Sequence, residues 1–269
     1  MSKDRFSRRE GYQPTEKPIT IRNDAPKELR GYLPRIAYSL GQSRYNLREL
    51  ICNELKEVPD YNDNWGELNI EREVDYLLET CEWYQIYDII EAIAETIPNK
   101  DEFEHKVNEY FKLKGIGWKL ENDIILFRGD EAFELILEKS KEVLEASGKK
   151  TASNELKEAI SDLSRKPVAD ITGAIQHALA SLECLARESS GSGETLGGLI
   201  KKHKSIIPSP LDVAIEKIWG YSSNYGRHLL EGNSPNFEEA ELIVGLSASI
   251  VTYLTRKLPV QNTDEYEGI

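Results

Sequence analysis

An arginine and a histidine stand side by side at Arg227 and His228, directly after the segment GYSSNYG at 220–226. Arginine offers a rigid fork of N–H donors to phosphate oxygens, and histidine exchanges protons near neutral pH. Small residues let a backbone approach a ligand closely. Together these are the minimal parts of a metal-free ribonuclease, with His228 as general acid or base and Arg227 stabilising the phosphorane.

Neighbouring residues extend this candidate site. Asn224 and Tyr225 are predicted to orient a phosphate or to stack on a base. Lys201 and Lys202, from the segment KKHK, are predicted to contribute a basic rim. The alternative is a structural turn without chemistry, and the spacing of Arg227 and His228 alone favours that alternative.

Other familiar catalytic and metal-binding patterns do not occur in the sequence. There is no Walker loop, dinucleotide fingerprint, HExxH, paired CxxC or nucleophile-elbow serine, so we expect neither a metal nor a cofactor. His105 is interpreted as a surface residue and His177 as a satisfied structural histidine. The three cysteines lie far apart in apolar helical patterns, which predicts reduced core residues.

The elements that would position Arg227 and His228 are helical. Apolar residues recur at helical spacing from Leu156 to Leu254, with Asp170 or Thr172 and the segment 234–239 as helix starts. Short connections between these helices predict an antiparallel bundle over residues 149–258, followed by a disordered tail at 259–269.

The N-terminal residues 1–148 are predicted to form an α+β domain in a protein that is mainly α. Residues 28–57 read as two short helices that break near Gly41, and residues 71–97 read as one long helix. The helical spacing of apolar residues stops at 116–129, where β-prone residues flank a short polar segment. This pattern predicts a small β-hairpin that turns at 121–123. The edge strand Ile19-Thr20-Ile21 and a linker at 146–153 complete the prediction.

Composition limits the functional classes. The formal net charge of −13 repels nucleic acid, so RNA contact requires a locally basic cleft. The polar N-terminus excludes a secretory signal peptide, and no apolar run is long enough to span a bilayer. We therefore expect a cytoplasmic protein without membrane contact.

Two sets of motifs resemble abortive-infection proteins. The segments 170–187, 195–197, 219–221, 226–228 and 239–244 resemble the C-terminal helical module of these proteins, which is similar to the HEPN superfamily (higher eukaryotes and prokaryotes nucleotide-binding). The segments 6–12, 115–118 and 128–130 resemble the N-terminal domain of J-type abortive-infection proteins.

This resemblance implies an antiphage ribonuclease that acts as a homodimer through its C-terminal bundle. Arg227 and His228 of two subunits would converge on one RNA cleft, and the N-terminal domain would respond to a phage-derived trigger. The usual HEPN motif separates its arginine from its histidine by several residues, whereas here the two are adjacent. The alternatives are a non-catalytic module that binds RNA, a nucleotide or a partner, and a purely structural adaptor.

Overall fold

A computed structural model describes residues 6–10, 12, 16–62, 66–190, 196–202, 207–226 and 235–257. The chain divides into two compact units, Met1–Arg128 and Gly129–Ile269. Within the described residues both units are mainly helical, and the only strands form one antiparallel hairpin. The predicted mainly α fold with a small hairpin is therefore confirmed.

The first unit contains six helices and two strands among its described residues. They are α1 (Phe6–Arg9), α2 (Lys27–Ser39), α3 (Arg44–Leu55), α4 (Glu67–Thr80), α5 (Trp83–Thr96), α6 (Lys100–Lys114), β1 (Trp118–Glu121) and β2 (Ile124–Phe127). Helices α2, α3, α4 and α5 pack on one another through buried leucines and isoleucines, and α6 packs on β1. The predicted pair of helices around Gly41 is confirmed as α2 and α3.

The hairpin forms where the sequence predicts it. Trp118 pairs with Phe127 and Glu121 with Ile124, which leaves Asn122 and Asp123 as the two turn residues. Both have positive φ, 54° and 66°, as a tight hairpin turn with matching twist requires. Asparagine and aspartate tolerate this conformation better than other non-glycine residues.

The N-terminal segment joins the hairpin at its base. Ile21 forms an isolated parallel bridge with Ile116, so the predicted strand at 19–21 is reduced to one bridging residue. Gly115 ends α6 with φ of 68°, and a Cβ at this position would collide with the carbonyl oxygen of Pro18. Only glycine combines that φ with such a close approach.

The prediction of one helix over 71–97 is wrong, because α4 and α5 are separate helices. Cys81 is extended, and Glu82 starts α5 with a capping box in which Gln85 accepts a hydrogen bond from the Glu82 backbone N–H. The spacing of apolar residues continues across this break, so it does not reveal the break. The hydrogen bonds of the capping box start a new helix at this point.

The second unit contains six helices among its described residues. They are α7 (Glu131–Ala146), α8 (Lys150–Ser164), α9 (Ile171–Ser190), α10 (Leu196–Lys202), α11 (Leu211–Gly226) and α12 (Phe237–Lys257). Helix α9 packs on α8, α10, α11 and α12, and α12 also packs on α7 and α8. None of the described helices has the length and apolarity needed to cross a membrane.

Two predicted helix starts in this unit are confirmed. Asp170 caps α9, since its Oδ1 accepts a hydrogen bond from the Gly173 N–H at 2.8 Å. Asn236 caps α12 through a reciprocal pair, in which each backbone N–H of Asn236 and Glu239 donates to the other's side chain at 3.0 and 2.8 Å. The predicted tail at 259–269 lies outside the described residues.

The segment predicted as a linker is a tight turn between two packed helices. Helix α7 ends at Ala146 and α8 begins at Lys150, with Gly148 in the left-handed conformation. Ala152 and Ser153 are already buried. From the sequence alone, a glycine in a tight turn between two helices cannot be distinguished from a glycine in a flexible linker.

Candidate functional site

The central pair of the predicted site, Arg227 and His228, lies outside the described residues. The structure does describe the helix that leads to the pair, because α11 ends at Gly226. Asn224 and Tyr225 lie in the last turn of α11, and only their backbone is described. Whether these residues meet in one site therefore stays a prediction.

Helix α11 is fixed to α9 by a buried carboxylate. Glu183 on α9 is only 6% exposed, and its Oε1 accepts a hydrogen bond from Trp219 Nε1 on α11 at 3.3 Å. Arg187, one turn further along α9, supplies a cation 3.4 Å from Glu183 Oε2. A buried carboxylate needs such partners, and the Glu183–Trp219 hydrogen bond connects α9 to α11 about two turns before α11 ends.

The predicted basic rim falls on α10. Lys201 is exposed on this helix, and the side chain of Lys202 is not described. Leu196 and Ile200 are buried, and α10 packs on α9 and on α11. The apolar face of α10 thus attaches Lys201 to the same central helix that holds α11.

A cluster of charged residues between α8 and α9 was missed by the sequence analysis. His177 Nδ1 lies 2.7 Å from Glu155 Oε2, and His177 Nε2 lies 3.7 Å from Asp162 Oδ2. Arg165 contacts both Asp162 Oδ1, at 2.9 Å, and Asp170 Oδ2, at 3.1 Å. His177 is satisfied, as predicted, by a hydrogen bond with Glu155 at a half-exposed position, and Asp162 lies close to its other ring nitrogen.

Asp162 is the centre of this cluster. Its side chain is 1% exposed, and burial raises the pKa of its carboxyl group, while Arg165 and His177 oppose that shift. Gly173 leaves room for the carboxylate, since a Cβ there would lie 2.5 Å from Asp162 Oδ2. No local motif reveals the cluster, because its residues come from two helices that meet only in the folded unit.

The described histidines and acids offer no metal site. No group of three or more His, Cys, Asp or Glu side chains in the described ranges is arranged to hold a metal ion.

Cys52 is buried as predicted, and burial raises the pKa of its thiol to about 11. Cys81 and Cys184 are only partly buried, which corrects the prediction that all three lie in the core.

Arg128 connects the motif at 115–118 to the N-terminal segment in the first unit. Its side chain is buried, Nε and a terminal nitrogen donate to the Ile116 carbonyl at 3.1 and 2.7 Å, and the other nitrogen contacts Glu16. Arg22 donates to the Gly117 carbonyl at 2.9 Å. The guanidinium group of Arg22 also lies 4.2 Å from the ring centre of Phe127.

A family model described as AbiJ N-terminal domain 4 matches residues 4–143, which is more than half of the chain. The chain belongs to this AbiJ family. This membership suggests a role in abortive infection, that is, in defence against phage. The motifs at 6–12, 115–118 and 128–130 all lie inside the match, so the N-terminal resemblance predicted from them is confirmed.

The AbiJ match includes most of α7, whereas the two structural units place α7 in the second unit. The match extends to residue 143, and α7 packs on α12 of the second unit. The domain boundary predicted at residue 148 stays a prediction. Comparison with curated proteins gave no significant match, and neither did comparison with solved structures.

The AbiJ N-terminal domain carries a polar groove of about 660 Å³ between α2 and α4. At its wall, the hydroxyl group of Tyr38 is buried without a hydrogen-bond partner in the described part of the chain. Burial raises the pKa of Tyr38 to about 12, with Glu71 adding to the effect. Burial also raises the pKa of Asp75. The walls carry both charge signs, which suits a polar ligand.

Proposed function

We propose that this protein is an abortive-infection effector whose C-terminal helical bundle, of HEPN type, cleaves RNA without a metal ion. The observation that carries the proposal is the fusion of an AbiJ N-terminal domain to a second helical unit whose helix α11 leads directly into Arg227 and His228. The N-terminal domain responds to a phage-derived trigger and controls the bundle.

The chemistry follows from the two residue types. His228 removes the proton from a ribose 2′-hydroxyl or donates one to the leaving 5′-oxygen, and Arg227 stabilises the charge that develops on the phosphorane. Asn224, Tyr225, Lys201 and Lys202 hold the RNA. Two chains form a homodimer through their bundles, which brings a second Arg227 and His228 to the same cleft.

Two features of the described residues support this arrangement. The Glu183–Trp219 hydrogen bond fixes α11 on α9, which gives the end of α11 a rigid support. Helix α10, with Lys201 exposed, packs on both α9 and α11.

The direct test is cleavage of total RNA by the purified full-length protein in the presence of EDTA. We expect the wild type to cleave, and Arg227→Ala and His228→Ala each to lower the rate at least about 100-fold. The matched control is His105→Ala, because His105 is exposed in the other unit. Circular dichroism checks that each variant remains folded. Cleavage that survives both substitutions would remove the pair from the chemistry.

A non-catalytic module that binds a partner protein is the second candidate function, and the net charge of −13 favours it over RNA cleavage, because this charge repels RNA from most of the surface. Under this alternative the wild type leaves RNA intact in EDTA, both alone and after exposure to extract from phage-infected cells. Cleavage that appears only with infected extract, and only with His228 present, would instead support a triggered ribonuclease.

A further inference from the structure

The polar groove between α2 and α4 is lined by one face of each helix, and we name it the α2–α4 groove. The wall from α4 runs from Glu71 to Glu79. The wall from α2 includes four residues at helical spacing, namely Gly31, Pro34, Arg35 and Tyr38. The volume of about 660 Å³ lies within the range of small-molecule sites, roughly 300–1,000 Å³.

Two of the residues that α2 contributes to the groove are poor helix formers. Gly31 and Pro34 both lie inside α2, although glycine and proline are the residue types least favoured in helix interiors. Pro34 also has no N–H to donate to the carbonyl group four residues earlier. A Cβ on Gly31 would meet no atom within 4 Å, so the missing side chain leaves open space in the groove. A ligand that occupies this space would account for the cost to α2.

Tyr38 brings to the groove a hydroxyl group that the protein itself does not use. This hydroxyl group is buried and has no hydrogen-bond partner in the described part of the chain. Burial raises the pKa of Tyr38 to about 12, so the phenol keeps its proton at neutral pH and can donate a hydrogen bond. A buried polar group without a partner costs free energy, and an oxygen atom of a ligand would remove that cost.

Several charged residues of the groove already have partners. Glu71 pairs with Arg44 of α3, and Glu79 pairs with Lys27 at 3.2 Å. Arg30 donates hydrogen bonds to three backbone carbonyl oxygens. These residues shape the walls, and their interactions with each other or with the backbone leave the charge balance of the groove to the remaining side chains.

Arg35 and Arg72 are the cations that remain. They line the groove from α2 and α4 respectively, and both are exposed. Neither forms an ion pair or a hydrogen bond with any residue that the structure describes. Asp75 is the remaining carboxylate, where burial raises the pKa and Arg35 opposes that shift. Two unpaired guanidinium groups against one carboxylate suit an anionic ligand, and their fork of N–H donors matches phosphate oxygens.

The α4 wall favours a small ligand over a nucleic-acid strand. Glu71, Asp75 and Glu79 follow one another along this wall, so a long polyanion in the groove would lie against all three carboxylates. Tyr76 lies on the same wall and is 66% exposed, which leaves a face of its ring open to stacking. A phosphate joined to an aromatic base combines the two chemical features that this groove accommodates.

We propose that the α2–α4 groove binds a nucleotide. Arg35 and Arg72 hold the phosphate, the Tyr38 hydroxyl group donates to a phosphate or ribose oxygen, and the base stacks on Tyr76. This inference is independent of the proposed ribonuclease, because the groove lies within the AbiJ N-terminal domain and contains neither Arg227 nor His228.

The test is isothermal titration calorimetry of the full-length protein at physiological salt. The probes are AMP, GMP, CMP and UMP and the four corresponding triphosphates. The comparison compounds are the four nucleosides, which lack the phosphate, and inorganic phosphate, which lacks the base. We expect saturable binding of at least one nucleotide, and at least about tenfold weaker binding of its nucleoside and of inorganic phosphate.

Arginine variants test where the phosphate binds. Arg35→Gln and Arg72→Gln each remove one guanidinium group and are expected to weaken binding of the nucleotide at least about tenfold. Arg256→Gln is the matched control, because Arg256 is exposed on α12 in the other unit, and this variant should bind as the wild type does.

Two further variants separate ligand binding from folding. Tyr38→Phe removes only the unpartnered hydroxyl group, so binding weakens about fivefold while the urea midpoint of the free protein stays equal or rises. Tyr110→Phe is its control, since the Tyr110 hydroxyl group is also buried without a described partner but does not line the groove. Gly31→Leu fills the open space and prevents binding without lowering the urea midpoint, because leucine is the better helix former.

Three results would overturn the proposal. The first is no saturable binding of any nucleotide tested. The second is equal binding of a nucleotide and its nucleoside. The third is binding that Arg35→Gln, Arg72→Gln and Gly31→Leu all leave unchanged, which would place the nucleotide elsewhere on the protein. Single-stranded RNA that binds more tightly than every nucleotide, and loses this binding in Arg35→Gln and Arg72→Gln, would identify RNA as the occupant instead.

Discussion

Arg128 is a buried cation whose partners come from distant parts of the first unit. Its guanidinium group binds the Ile116 carbonyl and the Glu16 carboxylate, so it connects the N-terminal segment to the base of the hairpin. Replacing Arg128 would leave the Ile116 carbonyl and the Glu16 carboxylate without this cation. The motifs that carry the AbiJ resemblance in this region thus have a structural role.

We expect Arg128→Met to lower the free energy of unfolding of the first unit by about 2 kcal/mol. Urea denaturation followed by tryptophan fluorescence measures this loss, because two of the three tryptophans that the structure describes, Trp83 and Trp118, belong to that unit. Arg35→Met is the control, since Arg35 is exposed on α2. A loss no larger than that of the control would contradict a structural role for Arg128.

Asp162 makes the stability of the second unit depend on pH. Burial raises the pKa of its carboxyl group in the folded state, so the folded protein binds this proton more readily than the unfolded chain does. The resulting stabilisation is fully present below the unfolded pKa, near 3.8, and is lost as pH rises through the folded value. Arg165, His177, Asp170 and Glu158 are the charged neighbours that modify this effect.

The test compares Asp162→Asn with the wild type by urea denaturation at neutral pH and again at mildly acidic pH. As the pH falls, we expect the free energy of unfolding of the wild type to rise relative to that of the variant, which cannot be protonated at this position. A relative fall of the wild type over the same range would show that pairing with Arg165 and His177, rather than burial, controls Asp162.

At the scale of elements, the start of α12 depends on the capping pair of Asn236 and Glu239. Asn236→Ala removes one half of this pair and should lower the free energy of unfolding by about 1 kcal/mol. Asn154→Ala makes the same replacement at an exposed position inside α8, where alanine is the better helix former. We therefore expect this control to unfold at an equal or higher urea concentration. Equal losses in both variants would exclude the cap as the cause.

Local sequence signals predicted the elements that local hydrogen bonds determine. The segment 121–123 indicated the hairpin turn. Asp170 or Thr172, and the segment 234–239, indicated helix starts, and the structure assigns these caps to Asp170 and Asn236. The break between α4 and α5 was missed because apolar residues keep one helical period from Val74 to Ile93. That period reports which face is buried and does not report where the backbone leaves the helix.

At the scale of the whole molecule, the sequence could not reveal contacts between residues that are far apart in the chain. Glu155 and His177 meet only because α8 and α9 pack side by side, and Glu183 meets Trp219 only across α9 and α11. The family of the first 143 residues was accessible from short motifs, and the match to AbiJ N-terminal domain 4 confirms it.

The net charge of −13 makes RNA cleavage depend on a local site. The proposed ribonuclease therefore requires that Arg227, His228 and the lysines of α10 gather enough positive charge to hold a phosphate against the repulsion of the remaining surface.

The measurement that tests the proposed function most directly is the chemistry of the RNA ends produced in EDTA. A histidine that activates the ribose 2′-hydroxyl leaves a 2′,3′-cyclic phosphate on one fragment and a 5′-hydroxyl on the other. Our account predicts these ends for the wild type and their loss in His228→Ala. Fragments with 3′-hydroxyl and 5′-phosphate ends, formed equally by wild type and His228→Ala, would contradict it.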